Sequence, residues 1–443
     1  QPGSHIAAEE YLTALKSDPS AIGLSEYALT HSRDPFTLFF AATMVRELVV
    51  DQYAKLGPAE VIRIRDLLAN TFFDPQVYET FTQSQLALGV AVLTKRAWLD
   101  TPPETTQQFM ENLRQAMTAE RSRHTLRATV LLGRLLDEFS NRSSVTMGIP
   151  STFHYQCQQS FEVDYLLEYL KLVLGALHHE ELQGDSNGRS EPLQRQLMSL
   201  VEQILRWPFS ETGSKTKPDN DILCLLSLLT SQSDEPNDPD EGDQVPLTRS
   251  IRPILYPQKW SSVISSPEIL DLLFTYYDKY VANTTLATIV AQCLCYLARA
   301  SEPTFPSPDE HYQYLELFCG RLLALIWTLQ SKSRESLPGS CYYHIATISR
   351  HFLGALPFSA LLAIPSMREY LDTLHQWTLL ALSRIPANPT SDSHDHVYLN
   401  EDDRSWIQDA YEALLEMWVT LTTSLTDNVT ASSSTPQPAR LAF

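Results

Sequence analysis

The sequence predicts an all-α protein, and three observations carry that prediction. Apolar residues recur at the three-to-four-residue spacing of amphipathic helices in nearly every segment, and no stretch alternates with the two-residue period of a strand. Glycine is scarce, at 14 of 443 residues, whereas proline numbers 27, which is a poor supply for the glycine-rich turns of sheets. The hydrophobic content of 43% is typical of a packed globular chain and excludes wholesale disorder.

The helical spacing can be followed along the chain. The faces that we expect to be buried are Phe36, Phe39, Phe40, Met44 and Leu48; Phe161, Tyr165, Tyr169, Leu172 and Ala176; Leu193, Leu197, Leu200, Ile204 and Trp207; Leu315, Phe318, Leu322, Leu325 and Leu329; and Trp406, Ala410, Leu414, Met417 and Leu421. Each series keeps the spacing that places its members on one side of a helix.

Proline-containing pairs mark the boundaries between these helices. Asp18-Pro19, Asp34-Pro35, Gly57-Pro58, Asp74-Pro75 and Pro102-Pro103 each end one segment and open the next. Asp before Pro is typical of a helix N-cap followed by a first-turn proline. Two helices fill roughly 40 residues, which is the period of HEAT and armadillo repeats. The sequence therefore predicts a HEAT-repeat α-solenoid, a superhelix of antiparallel helix pairs.

The predicted solenoid spans 6–425 as one domain of about eight helix pairs. The pairs are 6–31, 34–73, 75–117, 119–180 with an inserted connector, 190–232, 267–300, 309–356 and 366–424. An acidic loop is expected at 231–246 and a polar loop at 386–403. The segment 426–443 is low in complexity, and we expect it to be a flexible tail.

Charge and cysteine usage restrict the function classes. Lys and Arg total 33 and Asp and Glu total 53, so the net charge is 33 − 53 = −20, which argues against nucleic acid as the main ligand. The 6 cysteines lie in apolar segments without a Cys-x-x-Cys pair, a pattern typical of buried free thiols in a reducing compartment. No apolar run approaches the length of a membrane span. We therefore expect a soluble intracellular protein.

Motifs that carry chemistry are few. The phosphate-binding, nucleophile-elbow and zinc-protease motifs do not occur in the sequence. Asp392, His394, Asp395 and His396 could gather around zinc, but a polar loop without supporting partners is more often only a loop. Arg134 and Glu138 are spaced as a surface ion pair, which outweighs a catalytic carboxylate. The sequence thus predicts no enzyme, no metal and no cofactor.

Several segments resemble one branch of a known superfamily, in collinear order over nearly the whole chain. They are FAATMVRELVVDQY (40–53), LGVAVLTKRAWLD (88–100), LLDEFSN (135–141), FHYQCQQSFE (153–162), VEQILRWPF (201–209), LARASEPTFPSPDEHYQYL (297–315) and AYEALLEMWVTL (410–421). The branch is that of exportin-4 and exportin-7 in the importin-β superfamily. The segments KRAWLD and AYEALLEMW favour the exportin-4 type.

The resemblance implies a nuclear transport receptor that shuttles between nucleus and cytoplasm. In that family, outer A helices and inner B helices form a superhelix, and the amino-terminal B helices bind Ran in its GTP form together with protein cargo. The cargo known for the exportin-4 type is the hypusine-modified translation factor 5A, with Smad-type and Sox-type proteins besides. Nuclear pore proteins are a further partner class in such a receptor. The chain is under half the length of such exportins, so we expect it to represent the amino-terminal part.

The expected contact surface is a polar strip on the B helices. Val61, Ile64, Leu68 and Phe72 are predicted to pack inward, as are Phe109, Leu113 and Ala116. The residues on the opposite faces form the predicted Ran-binding strip, which consists of Glu26, Thr30, Arg63, Asp66, Asn70, Gln108, Glu111 and Gln115. The negative net charge favours protein cargo with a basic surface, and the position of a cargo site is not predicted.

An alternative from another class fits the same helical repeats. A HEAT-repeat scaffold or regulatory subunit of a multiprotein complex would also carry polar strips and would not bind Ran. Dependence on the nucleotide state of Ran separates the two hypotheses.

Overall fold

The computed structural model describes residues 21–77, 79–118, 122–140, 150–183, 191–209, 251–332, 337–354, 361, 363–384 and 401–433. Within these ranges every regular element is a helix, and the one β-type pairing is an isolated bridge between Ile254 and Ala300. The all-α prediction is therefore confirmed for this part of the chain. The chain divides into two compact units, Gln1–Pro208 and Phe209–Phe443. The single continuous array over 6–425 stays a prediction.

The helices of the first unit follow the predicted segments. They are α1 (Ala21–His31), α2 (Pro35–Asp51), α3 (Pro58–Phe73), α4 (Thr80–Arg96), α5 (Pro103–Thr118), α6 (Ser122–Ser140), α7 (Ser151–Phe161), α8 (Leu167–Gln183) and α9 (Glu191–Leu205). A single helical turn, Tyr53–Leu56, precedes α3, and a π-helical turn, Glu162–Leu166, joins α7 to α8.

These helices pack as two rows. In the first row α2, α4, α6 and α9 contact one another in succession. In the second row α1 contacts α3 and α5 contacts α8, whereas a cleft separates α3 from α5. Each helix of the second row packs on one of the first, as the pairs α1/α2, α3/α4, α5/α6 and α8/α9. Neighbouring pairs thus complete one another's cores, as expected for stacked repeats.

Local signals explain most of the helix boundaries. Asp34 caps α2, since its Oδ2 accepts from the Thr37 backbone N–H at 2.7 Å, and Pro35 is the first helical residue. Gly57 precedes α3 with φ of 74°, a conformation that favours glycine. The prediction for Asp74-Pro75 was wrong as a helix start. Asp74 lies at the carboxyl end of α3, and α4 begins only at Thr80.

The faces of the first unit agree with the prediction in α9 and only in part in α2. All five predicted residues of the α9 series are buried. In α2, by contrast, Phe36 and Phe40 are 64% and 47% exposed. Met44 and Leu48 are buried as predicted, and the rest of the buried face is formed by Leu38, Ala41, Ala42, Val45 and Val49. The rings of Phe36 and Phe39 contact the ring of Phe81 on α4 at the exposed edge of this packing, whereas the aliphatic residues form its buried part.

Two buried cations join helices of the first unit. Arg127 on α6 donates to the carbonyl oxygens of Phe72 at 3.0 Å and Asp74 at 2.6 Å, and also to that of Val77. It thereby satisfies the Phe72 carbonyl in the last turn of α3 and holds the following turn against α6. Lys95 on α4 donates to the Glu138 backbone carbonyl on α6 and lies 3.4 Å from its carboxylate. Burial lowers the pKa of Lys95.

Glu138 is therefore not the surface residue that its spacing suggested. It is buried with Lys95, and Arg134 instead lies 3.9 Å from Asp137. The predicted Arg134–Glu138 pair was wrong because local spacing does not reveal a partner on another helix.

Four segments that carry the resemblance, 88–100, 135–141, 153–162 and 201–209, contribute rings to one core of the first unit. Trp98 contacts the rings of Phe139, Phe161 and Tyr165. Phe161 in turn stacks on Trp207, with 5.7 Å between the two ring centres. These rings belong to the turn after α4, to α6, to α7, to the π-helical turn and to the segment after α9. Their collinear order in the sequence thus corresponds to a shared set of contacts.

The second unit repeats the two-row arrangement. Its longer helices are α10 (Pro267–Tyr280), α11 (Thr284–Leu297), α12 (Pro308–Ser331), α13 (Gly339–Gly354), α14 (Met367–Leu382) and α15 (Glu401–Ser433). A 3₁₀ turn, Gln258–Trp260, and a short helix, Ser261–Ile264, precede α10, and a second 3₁₀ turn, Glu302–Thr304, precedes α12. One row consists of α11, α13 and α15, and the other consists of α10, α12 and α14. Asn283 and Ser307 cap α11 and α12 through their side chains. The polar loop predicted at 386–403 and the tail predicted at 426–443 both overlap α15, which includes 401–403 and 426–433. The acidic loop predicted at 231–246 lies outside the described residues.

The second unit has a neutral polar network in its core. His344 on α13 lies 3.1 Å from the Tyr277 hydroxyl and 3.1 Å from the Thr288 hydroxyl, so it joins α10, α11 and α13. Burial lowers the pKa of His344 to about 4, which keeps the ring neutral at pH 7. The predicted α12 face is buried at all five positions.

Candidate protein-binding strip

The residues predicted as a contact strip lie on α1, α3 and α5, three helices of one row. Glu26 and Thr30 are on α1; Arg63, Asp66 and Asn70 are on α3; Gln108, Glu111 and Gln115 are on α5. All of them are exposed or half-buried. The inward face of α3 is also as predicted, since Val61, Ile64, Leu68 and Phe72 are fully buried.

The first group of strip residues surrounds a shallow cleft between α1 and α3. This cleft has a volume of about 540 Å³, and Glu26, Thr30, Arg63, Asp66 and Asn70 all line it. Five of the eight predicted residues are thus brought together on adjacent helices.

Arg63 is the central cation of the α1–α3 cleft. It bonds to Glu26 on α1 and to Glu60 on α3, and these hydrogen bonds raise its own pKa. The bond from Arg63 lowers the pKa of Glu60. Arg63 therefore crosslinks two helices of the row, and a partner that binds it must share or replace those carboxylates.

The second cleft lies between α3 and α5 and is larger, at about 670 Å³. Asp66 and Asn70 line this cleft as well as the first, and Gln108 lines it from α5. The structure therefore places the α3 residues between two openings instead of along one continuous strip.

Glu111 and Gln115 lie apart from both clefts. Glu111 accepts two hydrogen bonds from Arg114 at 2.7 Å and one from Gln115 at 2.9 Å. These bonds, led by that from Arg114, lower the pKa of Glu111 to about 2. This trio forms a separate charged site on the exposed side of α5.

The predicted core of α5 needs a correction. Leu113 is buried, but Phe109 and Ala116 are only half-buried because they line the open α3–α5 cleft. The buried face of α5 is instead formed by Thr106, Met110, Leu113 and Met117. The helical spacing placed the core face about one position away from its true centre.

Sequence reasoning missed the residue that spans this cleft. Arg65 is 5% exposed, and its guanidinium lies 4.4 Å from the centre of the Phe109 ring and 2.6 Å from Asp66. It follows Ile64 directly and therefore appeared to belong to neither the buried nor the exposed series. Nothing in the local spacing marks Arg65 as the partner of Phe109, because the two residues lie on different helices.

The arrangement offers ion pairing, amide hydrogen bonding and an apolar cleft floor. These are the means by which one protein surface recognises another.

Within the described residues, no group of three or more His, Cys, Asp or Glu side chains is placed to hold a metal ion. The predicted zinc candidates at 392–396 lie outside those residues. No described helix has the length and hydropathy needed to cross a bilayer.

The sequence matches none of the known protein-family models.

Proposed function

We propose that the chain is a HEAT-repeat nuclear transport receptor of the exportin-4 type, corresponding to its amino-terminal repeats. It binds Ran in the GTP form and a protein cargo with a basic surface, and it does so without catalysis. The family cargo, hypusine-modified translation factor 5A, is the first candidate. The receptor moves between nucleus and cytoplasm in this proposal.

One observation carries the proposal furthest. The predicted contact residues lie on three helices of one row, and five of them line a single cleft. A row of helices whose polar faces lie side by side is the surface that a repeat protein presents to a large partner. The two-row packing in each unit supports the HEAT-repeat assignment on the same grounds.

Charge adds a second support. The chain carries a net charge of −20, and the cleft between α1 and α3 includes Glu26 and Asp66 beside Arg63. Such a surface accelerates encounter with a basic partner and makes binding sensitive to salt.

The direct test is binding of Ran loaded with a non-hydrolysable GTP analogue, with GDP-loaded Ran as the comparison. We expect the GTP form to bind at least about tenfold more tightly, a difference of about 1.4 kcal/mol. Equal affinity for both forms, or no binding of either, would favour the scaffold hypothesis over the transport receptor.

Variants locate the surface. The triple variant Arg63→Glu, Asp66→Lys and Glu111→Lys reverses the charge at three positions of the strip, two on α3 and one on α5. It should abolish preferential binding of the GTP form. The control is Asp51→Lys, an exposed position at the end of α2 in the other row. We expect that control to bind Ran like the unchanged protein, and circular dichroism should show that both variants remain helical.

A further inference from the structure

The cleft between α3 and α5 has features that the contact strip does not require. Its floor is apolar and includes Ala69 and Phe73 from α3, Phe109 and Ala116 from α5, and Leu131 from α6. Its volume of about 670 Å³ lies within the range of pockets that enclose small ligands or several side chains. A large apolar side chain can therefore enter between the two helices.

Three carboxamides line the walls of this floor. Asn70 lies on α3, and Gln108 and Asn112 lie on α5. Within the described residues the Asn70 carboxamide has no hydrogen-bond partner, whereas Gln108 donates to Asn112. A carboxamide carries both a donor and an acceptor, which matches the carbonyl and N–H of a peptide unit. An extended peptide has such groups unpaired, whereas a helix has already used them.

The charge of the cleft selects among peptides. The charged residues that line it are Arg65, Asp66 and Glu104, so the excess is negative. Arg65 is buried and already bonded to Asp66, while Glu104 is exposed and has no ion-pair partner among the described residues. Asp66 is also about half exposed, at 51% of its side chain. Glu104 on α5 is therefore the uncompensated charge of the cleft, and Asp66 on α3 keeps one carboxylate oxygen without a bond from Arg65, so both can face lysine or arginine.

We propose that the α3–α5 cleft binds an extended segment of a protein partner, which inserts one large apolar side chain between lysine or arginine residues. The apolar side chain contacts Phe73 and Phe109, the peptide backbone bonds to the carboxamides, and the flanking cations face Asp66 and Glu104. This inference rests on the proposed function in that it gives the partner-binding role a location. The two fail separately because the following test contains no Ran.

The test uses a short fluorescein-labelled peptide with one central phenylalanine flanked by lysines, and fluorescence anisotropy reports its binding. Replacement of the phenylalanine by alanine should weaken binding at least about tenfold, since the ring would no longer be buried. A peptide with glutamates in place of the lysines should bind at least about tenfold more weakly at low salt. Equal binding of all three peptides, or no binding of the first, would overturn the proposal.

Two variants place the peptide in the cleft. Ala116→Trp fills the floor and should weaken binding at least about tenfold, whereas Gln107→Trp adds the same ring on the exposed side of α5 and should change affinity less than about twofold. Glu104→Lys should weaken binding of the lysine peptide several-fold at low salt, with a smaller effect at high salt. Unchanged affinity in both Ala116→Trp and Glu104→Lys would overturn the location.

Discussion

The two units join their helices with different chemistry. In the first unit, cations cross between helices: Arg127 reaches the end of α3, Lys95 reaches Glu138, and Arg63 joins α3 to α1. In the described part of the second unit, the buried link is neutral, as His344 bonds to Tyr277 and Thr288, and cations such as Lys332 with Asp278 join its helices only where they are half-exposed. Buried cations bonded to carbonyls tolerate little change, whereas a buried neutral histidine responds to pH.

The two units also differ in the clefts at their surfaces. In the first unit Arg63 joins α3 to α1 at their exposed faces, whereas α3 and α5 are separated by an open cleft. The second unit has surface ion pairs such as Arg350–Glu416 at 2.8 Å, but its described ion pairs do not surround a comparable pair of clefts. We therefore expect the strongest effects on stability at buried links and the strongest effects on binding in the α1–α3–α5 row.

The largest expected effect on stability is that of Arg127→Ala. Its removal deletes three hydrogen bonds and leaves the Phe72 carbonyl without this donor, whereas the Asp74 and Val77 carbonyls keep bonds from the Val77 N–H and from Gln83, so the free energy of unfolding should fall by about 2–3 kcal/mol. Urea denaturation followed by circular dichroism measures this change. The matched control is Arg134→Ala on the exposed side of the same helix, with an expected change within about 0.5 kcal/mol. Equal effects of the two variants would contradict the role given to Arg127.

The next effect is acid destabilisation of the second unit. Burial lowers the pKa of His344 and of His351 to about 4, below the ordinary value of 6.5. The unfolded chain therefore takes up protons first, and stability falls as the pH drops from about 6.5 toward 4. The loss is at most about 3 kcal/mol for His344 and less for the more accessible His351.

Hydrogen–deuterium exchange at pH 7 and at about pH 5 measures this loss separately in each unit, after correction for the intrinsic exchange rate. Amides of α13 should lose more protection than those of α4, and His344→Gln should reduce the difference. Equal loss in the two helices would contradict the assignment.

A smaller effect is expected from Gly339→Ala. A methyl group at this position would lie 2.5 Å from the Asp403 backbone oxygen, where α13 meets the start of α15. We expect a cost of about 1–3 kcal/mol, visible as a lower melting temperature. Gly320→Ala on α12 is the control, because nothing lies within 4 Å of its added methyl group. That substitution should be neutral or stabilising by up to about 1 kcal/mol.

The smallest expected effect on stability is that of Arg63→Ala. Its bonds to Glu26 and Glu60 are half-exposed, so their loss should change the free energy of unfolding by less than about 1 kcal/mol. The same variant should weaken Ran-GTP binding several-fold. Calorimetric unfolding and binding measured on one preparation separate these effects, and a large loss of stability without a change in binding would contradict the contact role of Arg63.

Local spacing predicted the helices and much of their order, because amphipathic periodicity and proline-marked boundaries are encoded in neighbouring residues. It placed the cores of α3, α9 and α12 correctly. It failed in part in α2, where Met44 and Leu48 are buried as predicted but Ala41 and Ala42 occupy the buried face in place of Phe36 and Phe40. Ring size alone could not reveal which face another helix would cover.

The candidate site was predictable in part. Exposed polar residues at helical spacing identified Arg63, Asp66 and Asn70, since α3 has a regular polar face. The α3–α5 cleft was not predictable, because it depends on the separation of two helices and on Arg65 reaching Phe109. Lys95 and Glu138 are likewise 43 residues apart, a distance over which spacing contains no information.

The most direct test of the central claim is a hydrogen–deuterium exchange footprint of the chain with GTP-locked Ran. We predict added protection in α1, α3 and α5. Amides of α2 and α4 should change little, except where these helices contact α1 and α3. GDP-loaded Ran should leave no footprint. Protection confined to the α2–α4 row, the same footprint with both nucleotides, or no footprint would contradict the claim that the α1–α3–α5 row is a nucleotide-selective protein-binding surface.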